Sequence, residues 1–148
     1  MIAGIAQFEK FFREAAGLDI DKTDIRRIDD LANRQMHRFL VMARRAAKMN
    51  GRDIITEADL PITAGLEARM KKFEALDETL RLADILEKLA ELPPVGADLA
   101  ADVEERLPVI MGAIILSMAE LFPVVDPQVK NPSSEHWERV ERIYDILM

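Results

Sequence analysis

The chain has 148 residues, of which 49% are apolar and 32% charged, and its formal net charge is −7. This length supports one compact core, and the composition is that of a soluble globular protein. The absence of cysteine excludes disulfides and thiolate zinc sites. Aromatic residues make up only 5%, and good helix formers such as Ala, Leu, Glu and Arg are abundant, so we expect an all-α fold.

The charge is divided unevenly along the chain. Residues 1–76 have a net charge of +2, whereas residues 77–148 have a net charge of −9. An acidic protein is a poor candidate for tight, non-specific nucleic-acid binding, because phosphate contacts dominate that affinity. The imbalance nevertheless allows a local basic face in the first half.

No targeting segment is visible in the sequence. The N-terminus lacks a basic region followed by a long apolar run, so we expect a cytoplasmic protein without a secretory signal. The most apolar stretch, Val109–Phe122, is too short to span a bilayer. We therefore interpret it as a buried core helix and expect no membrane association.

The spacing of apolar residues predicts six helices in two similar sets. In each set a long helix follows a shorter one. A kink or a restart is expected at Pro61 and a kink at Pro108. Breaks are expected at residues 93–96 and at residues 123–132, which hold five prolines between them. The predicted helices span residues 3–16, 22–49, 57–75, 78–91, 98–122 and 135–147.

Capping residues support these boundaries. Gly17 is a natural stop for the first helix, and Asp21 is the best N-cap for the second. Asn50 and Gly51 end that long helix, and a short β-prone segment follows it. The predicted caps of the third, fourth and last helices are Thr56, Asp77 and Ser134.

The order helix, short loop, long helix, short loop, helix resembles the histone fold. Residues 12–21 look like the end of its first helix and the first loop, and residues 51–60 look like its second loop. In archaeal histones an Arg and an Asp seven residues apart pair to fix this second loop, and Arg52 and Asp59 match those positions. The whole chain is similar to an uncharacterised family of small bacterial proteins that carry two histone folds in one polypeptide.

This resemblance implies a first histone-like half over residues 1–76 and a second, degenerate half over residues 77–148. For the second half it depends on helix order alone. The two halves would pair as one intramolecular pseudo-dimer, since fusion raises the effective concentration of each partner.

The resemblance also indicates where DNA would bind. Histones use an Arg in the first loop and a Lys and a Thr in the second loop, and the matching positions here are Asp19, Asp53 and Ile54. Two of these three are acids, which repel phosphate. We therefore predict that the usual histone mode of DNA binding is lost.

A basic ridge on the long helix supports an alternative. At about 100° per residue, Arg27, Arg34, Arg38 and Arg45 fall within about 40° of one another. They could bind nucleic acid or an acidic protein. They could equally pair with acids of the second half, and the net charge of that half favours internal pairing.

Catalytic and metal-binding motifs are weak. The sequence has no Gly-rich phosphate loop and no Ser/His/Asp motif, so we expect no enzyme, no cofactor and no metal. His136 is interpreted as a capping residue at the surface, and Trp137 and Tyr144 as anchors of the last helix in the core.

The sequence thus predicts a non-enzymatic structural or protein-interaction module. The alternative is a DNA-binding architectural protein that uses the basic ridge. A protein partner or a homo-oligomer is compatible with either hypothesis.

Overall fold

The computed structural model describes residues 4–89 and 95–148. Over these residues 76% of the structure is helical, which confirms the all-α prediction. The helices are α1 Ile5–Ala16, α2 Lys22–Met49, α3 Ala64–Leu80, α4 Leu82–Leu89, α5 Ala101–Val125 and α6 Ser134–Leu147. Two short strands, β1 Ile54–Ile55 and β2 Asp98–Leu99, and a 3₁₀ turn, Glu57–Asp59, complete the described elements.

Helix α1 ends at its predicted capping residue, and helix α2 begins at its own. Gly17 closes α1 in the left-handed region with φ of 66°, and its N–H donates to the carbonyl of Arg13. Asp21 caps α2 by accepting from the N–H of Asp24 at 3.0 Å, while the Asp24 side chain accepts from the N–H of Asp21 at 2.9 Å. This reciprocal capping box fixes the start of the long helix.

The third helix differs from its predicted boundaries. Residues 57–59 form only a 3₁₀ turn, and α3 begins at Ala64, beyond Pro61. A restart therefore occurs there, as one of the two expected alternatives. The predicted end at residue 75 is wrong because α3 continues to Leu80.

The division of the chain at residues 76 and 77 consequently lies inside α3. The helical path changes instead at Arg81, which adopts a left-handed conformation with φ of 56°. Asp77 does not start a helix at residue 78, because it is itself helical and its Oδ1 accepts from the N–H of Ala83 at 2.9 Å. Its carboxylate therefore supports the start of α4, one turn later than predicted. The predicted continuation to residue 91 and the first two residues of the predicted break, Pro93 and Pro94, lie outside the described part of the chain.

Helix α5 is displaced from its predicted limits at both ends. It starts at Ala101 instead of residue 98, because Asp98 and Leu99 pair with β1. It is helical through Pro108 and also through Pro123 to Val125, so the prediction that residues 123–125 cannot be helical is wrong. Pro123 removes one backbone hydrogen bond from α5. The turn before it is buried in the core, and this burial stabilises the helix by more than the lost bond weakens it.

The connecting segments pair reciprocally across the fold. Strands β1 and β2 are parallel, with Ile54 opposite Asp98 and Ile55 opposite Leu99. Elsewhere in the molecule, the N–H of Asp19 donates to the carbonyl of Lys130 at 2.7 Å. The segment after α2 thus joins the segment before α5, and the segment before α2 joins the segment after α5.

Helix α5 forms the centre of the core. Its buried residues run continuously from Ile110 to Leu116, and it contacts all five other helices. Gly112 lies where α3 crosses it, since a Cβ at this position would come within 2.3 Å of the Phe73 ring. By length and composition alone α5 could cross a membrane, with a mean hydropathy of 2.0, but 56% of that window is buried within the fold.

Candidate functional site at the paired loops

Arg52 and Asp59 form a bidentate ion pair at the loop that follows α2. Nη1 of Arg52 donates to Oδ2 of Asp59 at 2.6 Å, and Nη2 donates to Oδ1 at 2.8 Å. Nη1 also donates to the carbonyl of Ile54 at 3.1 Å. The guanidinium therefore ties the β1 strand to the 3₁₀ turn that follows it.

Asp59 is the centre of this arrangement. Its side chain is only 2% exposed, and its Oδ2 accepts from the backbone N–H of Thr56 at 2.8 Å and from the Thr56 hydroxyl at 3.0 Å. The hydrogen bond from Arg52 is the main reason that the pKa of Asp59 lies well below its ordinary value. Thr56 precedes a three-residue 3₁₀ turn and not a long helix, so this capping arrangement supports the loop.

The three positions that match histone DNA contacts lie at the surface. Asp53 is 87% exposed and pairs with Lys48, and this pairing lowers the pKa of the Asp53 carboxyl. Asp19 is 56% exposed and lies 3.4 Å from Nε of Arg13. Ile54 is 49% exposed. The three matching positions themselves therefore carry two carboxylates and an alkyl side chain, and each carboxylate lies beside a cation.

The predicted basic ridge is partly neutralised by the second half of the chain. Asp145 of α6 accepts a hydrogen bond from Nη1 of Arg38 at 2.9 Å and lies 3.9 Å from Nη2 of Arg34. Nη2 of Arg27 lies 3.4 Å from the hydroxyl of Ser134, and Nη1 of Arg45 lies 3.5 Å from the sulfur of Met42. The structure thus places the Asp145 carboxylate beside two of the four arginines.

Other ion pairs also join basic residues of the first half to acids of the second. Glu120 on α5 pairs with both Arg69 and Lys72 on α3. In the opposite sense, Nη1 of Arg106 donates to Glu57 at 2.6 Å. Two acids of the second half, Glu120 on α5 and Asp145 on α6, thus lie against bases of α2 and α3.

Two contacts of α6 could not be found from sequence spacing. Nε1 of Trp137 donates to Oδ1 of Asp24 at 2.8 Å. Nε2 of His136 lies 3.0 Å from Oδ2 of Asp126, while Nδ1 accepts from the N–H of Ser133 at 3.0 Å. The N-cap of α6 is Ser133, one residue before the predicted cap at Ser134. Of the contacts made by His136, only its capping role could be recognised in the sequence, because the histidine lies three residues after Ser133.

Tyr144 is buried, as its helical spacing from Trp137 predicts. The two side chains are 4% and 1% exposed, and the Tyr144 hydroxyl donates to the carbonyl of Ile114 at 3.2 Å. The rings therefore anchor α6 against α5. Among residues 4–89 and 95–148, no three His, Asp or Glu side chains come together in a way that could hold a metal ion.

The chain resembles proteins of Thermus thermophilus and Aquifex aeolicus whose structures are solved. Over its full length it has 42% identity to a protein of Thermus thermophilus whose crystal structure superposes with a TM-score of 0.88 and is covered completely. A crystal structure of an Aquifex aeolicus protein matches with 28% identity and a TM-score of 0.84, covering 98% of this chain and 95% of that one.

Comparison of sequences also finds relatives in Aquifex aeolicus, and their function is uncharacterized. An uncharacterized protein of Aquifex aeolicus (strain VF5) is 33% identical over 156 residues, which covers 97% of this chain and 89% of the relative. A second uncharacterized protein of that organism is 29% identical over 142 residues, covering 96% and 82% respectively. The model of the DUF1931 family, described as a domain of unknown function, matches residues 8–145. The chain therefore belongs to the DUF1931 family.

Proposed function

We propose that this protein is a non-enzymatic structural or protein-interaction module of the cytoplasm. In this proposal, two histone-like halves pair with each other within one chain. The observation that carries the proposal is the reciprocal pairing of the loops, β1 with β2 and Asp19 with Lys130. When two helix–long helix–helix units pack head to tail, the first loop of each lies beside the second loop of the other.

The Arg52–Asp59 pair supports the same proposal. Its bidentate geometry and the near-complete burial of Asp59 fix the loop conformation that a histone-like half requires. The second half is degenerate in this respect, because the loop after α5 contains Lys130 but no Arg and Asp at this spacing.

The proposed module does not bind DNA as histones do. At the three matching loop positions, Asp19 and Asp53 present exposed negative charge and Ile54 cannot donate a side-chain hydrogen bond. Each of the two acids lies beside a cation, Arg13 or Lys48, so these positions offer a phosphate no uncompensated positive charge. The loops therefore preserve the geometry of a histone pair without its chemistry.

A gain-of-function variant tests this proposal. We expect the natural chain not to shift duplex DNA in a low-salt mobility assay. We expect the triple variant Asp19→Arg/Asp53→Lys/Ile54→Thr to bind DNA with a clear salt dependence, because it restores the three contact groups. Tight, salt-sensitive binding by the natural chain would contradict the proposal.

A matched control separates local chemistry from total charge. Glu74 and Glu78 are exposed acids of α3, and Glu74→Lys/Glu78→Arg changes the net charge by the same amount as the triple variant. If the loops are a preserved histone geometry, this control binds DNA at least tenfold more weakly than the triple variant. Equal binding by the two variants would attribute the effect to net charge alone.

A second candidate function is DNA binding through the basic ridge. The specific observation in its favour is that Asp145 is the one carboxylate placed among Arg27, Arg34, Arg38 and Arg45 in the described part of the chain. If the ridge binds DNA, Asp145→Asn strengthens a low-salt shift and Arg27→Gln/Arg45→Gln abolishes it. If neither variant changes the result, the ridge has no such role.

A further inference from the structure

An open groove lies between the C-terminal ends of α1, α5 and α6 and the start of α3. Its volume is about 580 Å³, within the range of about 300–1,000 Å³ that holds small molecules. No part of the histone-like architecture proposed above requires such a space. The lining is mainly alkyl and contains Ala15, Leu66, Leu121, Val124, Ile143 and Leu147.

The apolar rim of this groove is unusually exposed. Val124 is 77% exposed and Leu147 is 74% exposed, although both lie beside buried residues such as Leu66 and Tyr144. Contact with an apolar molecule would remove this surface from water, which contributes about 25 cal/mol for each Å² buried. The groove is thus lined for an apolar group such as an alkyl chain.

One wall of the groove carries charged side chains, because both Arg69 and Glu120 line it. Arg69 lines it and contacts Glu120 through Nε. Glu120 also pairs with Lys72, so two cations share one carboxylate. In the described structure, the Nη1 and Nη2 groups of Arg69 remain available for a second anion. A guanidinium binds a carboxylate through two parallel hydrogen bonds.

The start of α3 leaves this wall of the groove open. Gly65 lines the groove one helical turn before Arg69, so both lie on the same face of the helix. A Cβ added at Gly65 would meet only the hydroxyl of Thr63, at 3.9 Å, which shows that the helix backbone is open there.

We propose that this groove binds a small amphipathic carboxylate, with its alkyl chain between α5 and α6 and its carboxylate on Arg69. A neutral apolar molecule would leave Nη1 and Nη2 of Arg69 without an anion, since the contact with Glu120 is made through Nε. A cationic one would be repelled by Arg69 and Lys72, because Glu120 is already paired with both. Charge complementarity thus selects an anion with a single apolar chain.

Decanoate at sub-micellar concentration is the probe for this proposal. We expect the natural chain to bind one decanoate with saturable heat in isothermal titration, and to bind methyl decanoate at least tenfold more weakly. Arg69→Gln should weaken decanoate at least tenfold and leave the methyl ester unchanged. Absence of saturable binding, or equal binding of acid and ester, would overturn the proposal.

The variant Gly65→Leu tests whether decanoate binds in this groove, and it does so without disturbing the fold. The open space at Gly65 accepts a side chain, and Leu favours a helix more than Gly does. This variant should remain fully folded by circular dichroism and lose decanoate binding at least tenfold. Ala68→Leu, on the exposed side of the same helix, is the matched control and should bind as the natural chain does. Equal binding by both variants would place decanoate elsewhere and overturn the proposal.

A macromolecular occupant gives a different result. If a second copy of the chain covered the groove, light scattering would show a dimer that Gly65→Leu dissociates. We expect instead a monomer with and without decanoate, and a dimer sensitive to Gly65→Leu would overturn the proposal. Loss of decanoate binding has no bearing on DNA binding at the loops, so the two proposals fail independently.

Discussion

Nε1 of Trp137 donates a hydrogen bond of 2.8 Å to the carboxylate of Asp24, 113 residues earlier in the chain. The two residues are 1% and 7% exposed. The other carboxylate oxygen of Asp24 accepts from the N–H of Asp21 at 2.9 Å. A single side chain thus completes the capping box of α2 and attaches α6 to it. Burial raises the pKa of Asp24, although both hydrogen bonds act to lower it.

We expect Trp137→Phe to lower the free energy of unfolding by about 1–3 kcal/mol, because the buried carboxylate loses its side-chain donor from α6. Phe preserves an aromatic ring against Phe122, whose centroid lies 4.8 Å from that of Trp137. Urea unfolding followed by circular dichroism measures the difference. In an Asp24→Ala background, the same substitution should lower the free energy of unfolding by clearly less, because the carboxylate that Trp137 bonds is already gone. Equal costs in the two backgrounds would assign the effect to packing alone.

The Arg52–Asp59 pair predicts a specific response to acid. The hydrogen bond from Arg52 lowers the pKa of Asp59, so this group contributes stability above its unfolded pKa. That contribution is lost as the pH falls through its folded pKa. Asp59→Asn should therefore be less stable than the natural chain near neutral pH, and the difference should shrink below about pH 4. Urea unfolding over a pH series measures it, with Asp30→Asn at an exposed position as the control. A difference that does not change with pH would contradict the prediction.

The local elements could be predicted because their signals are local. Gly17, the reciprocal box of Asp21 and Asp24, and the Arg52–Asp59 spacing each join residues at most seven positions apart. Such contacts depend on helix and turn geometry, which the sequence specifies directly. The loop that the Arg52–Asp59 pair closes lies where the sequence predicts it, directly after the long helix.

The errors arise where distant packing decides the structure. Helix α3 continues past residue 75, and Pro123 is helical at the end of α5, since neighbouring helices stabilise turns that local propensity disfavours. Asp145 could not be assigned to Arg38, because 107 residues separate the two. The groove could not be predicted either, since it is formed by four helix ends that meet only in the fold.

Gly112 allows a direct test of the crossing between α3 and α5. Gly112→Ala should lower the free energy of unfolding by about 1–3 kcal/mol, because the added Cβ would lie 2.3 Å from the buried ring of Phe73. Gly65→Ala is the matched control, since that glycine is also helical but has open space around it. We expect Gly65→Ala to leave stability unchanged or raise it by up to about 1 kcal/mol. Thermal unfolding compares the two, and equal destabilisation would contradict close packing at Gly112. Phe73→Leu should partly restore the stability of Gly112→Ala by making room for the methyl group.

His136 connects the cap of α6 to the end of α5, and two substitutions separate these roles. Its Nδ1 accepts from the N–H of Ser133 at 3.0 Å, so its Nε2–H donates to Asp126. His136→Gln preserves the capping box but cannot also reach Asp126, whereas His136→Ala loses both contacts. We expect the natural chain to be the most stable and the Ala variant the least. Ala should lie about 0.5–1.5 kcal/mol below Gln in thermal unfolding, because one hydrogen bond separates these variants. In an Asp126→Ala background, His136→Gln should have little further effect. An undiminished loss there would show that the contact with Asp126 does not stabilise the fold.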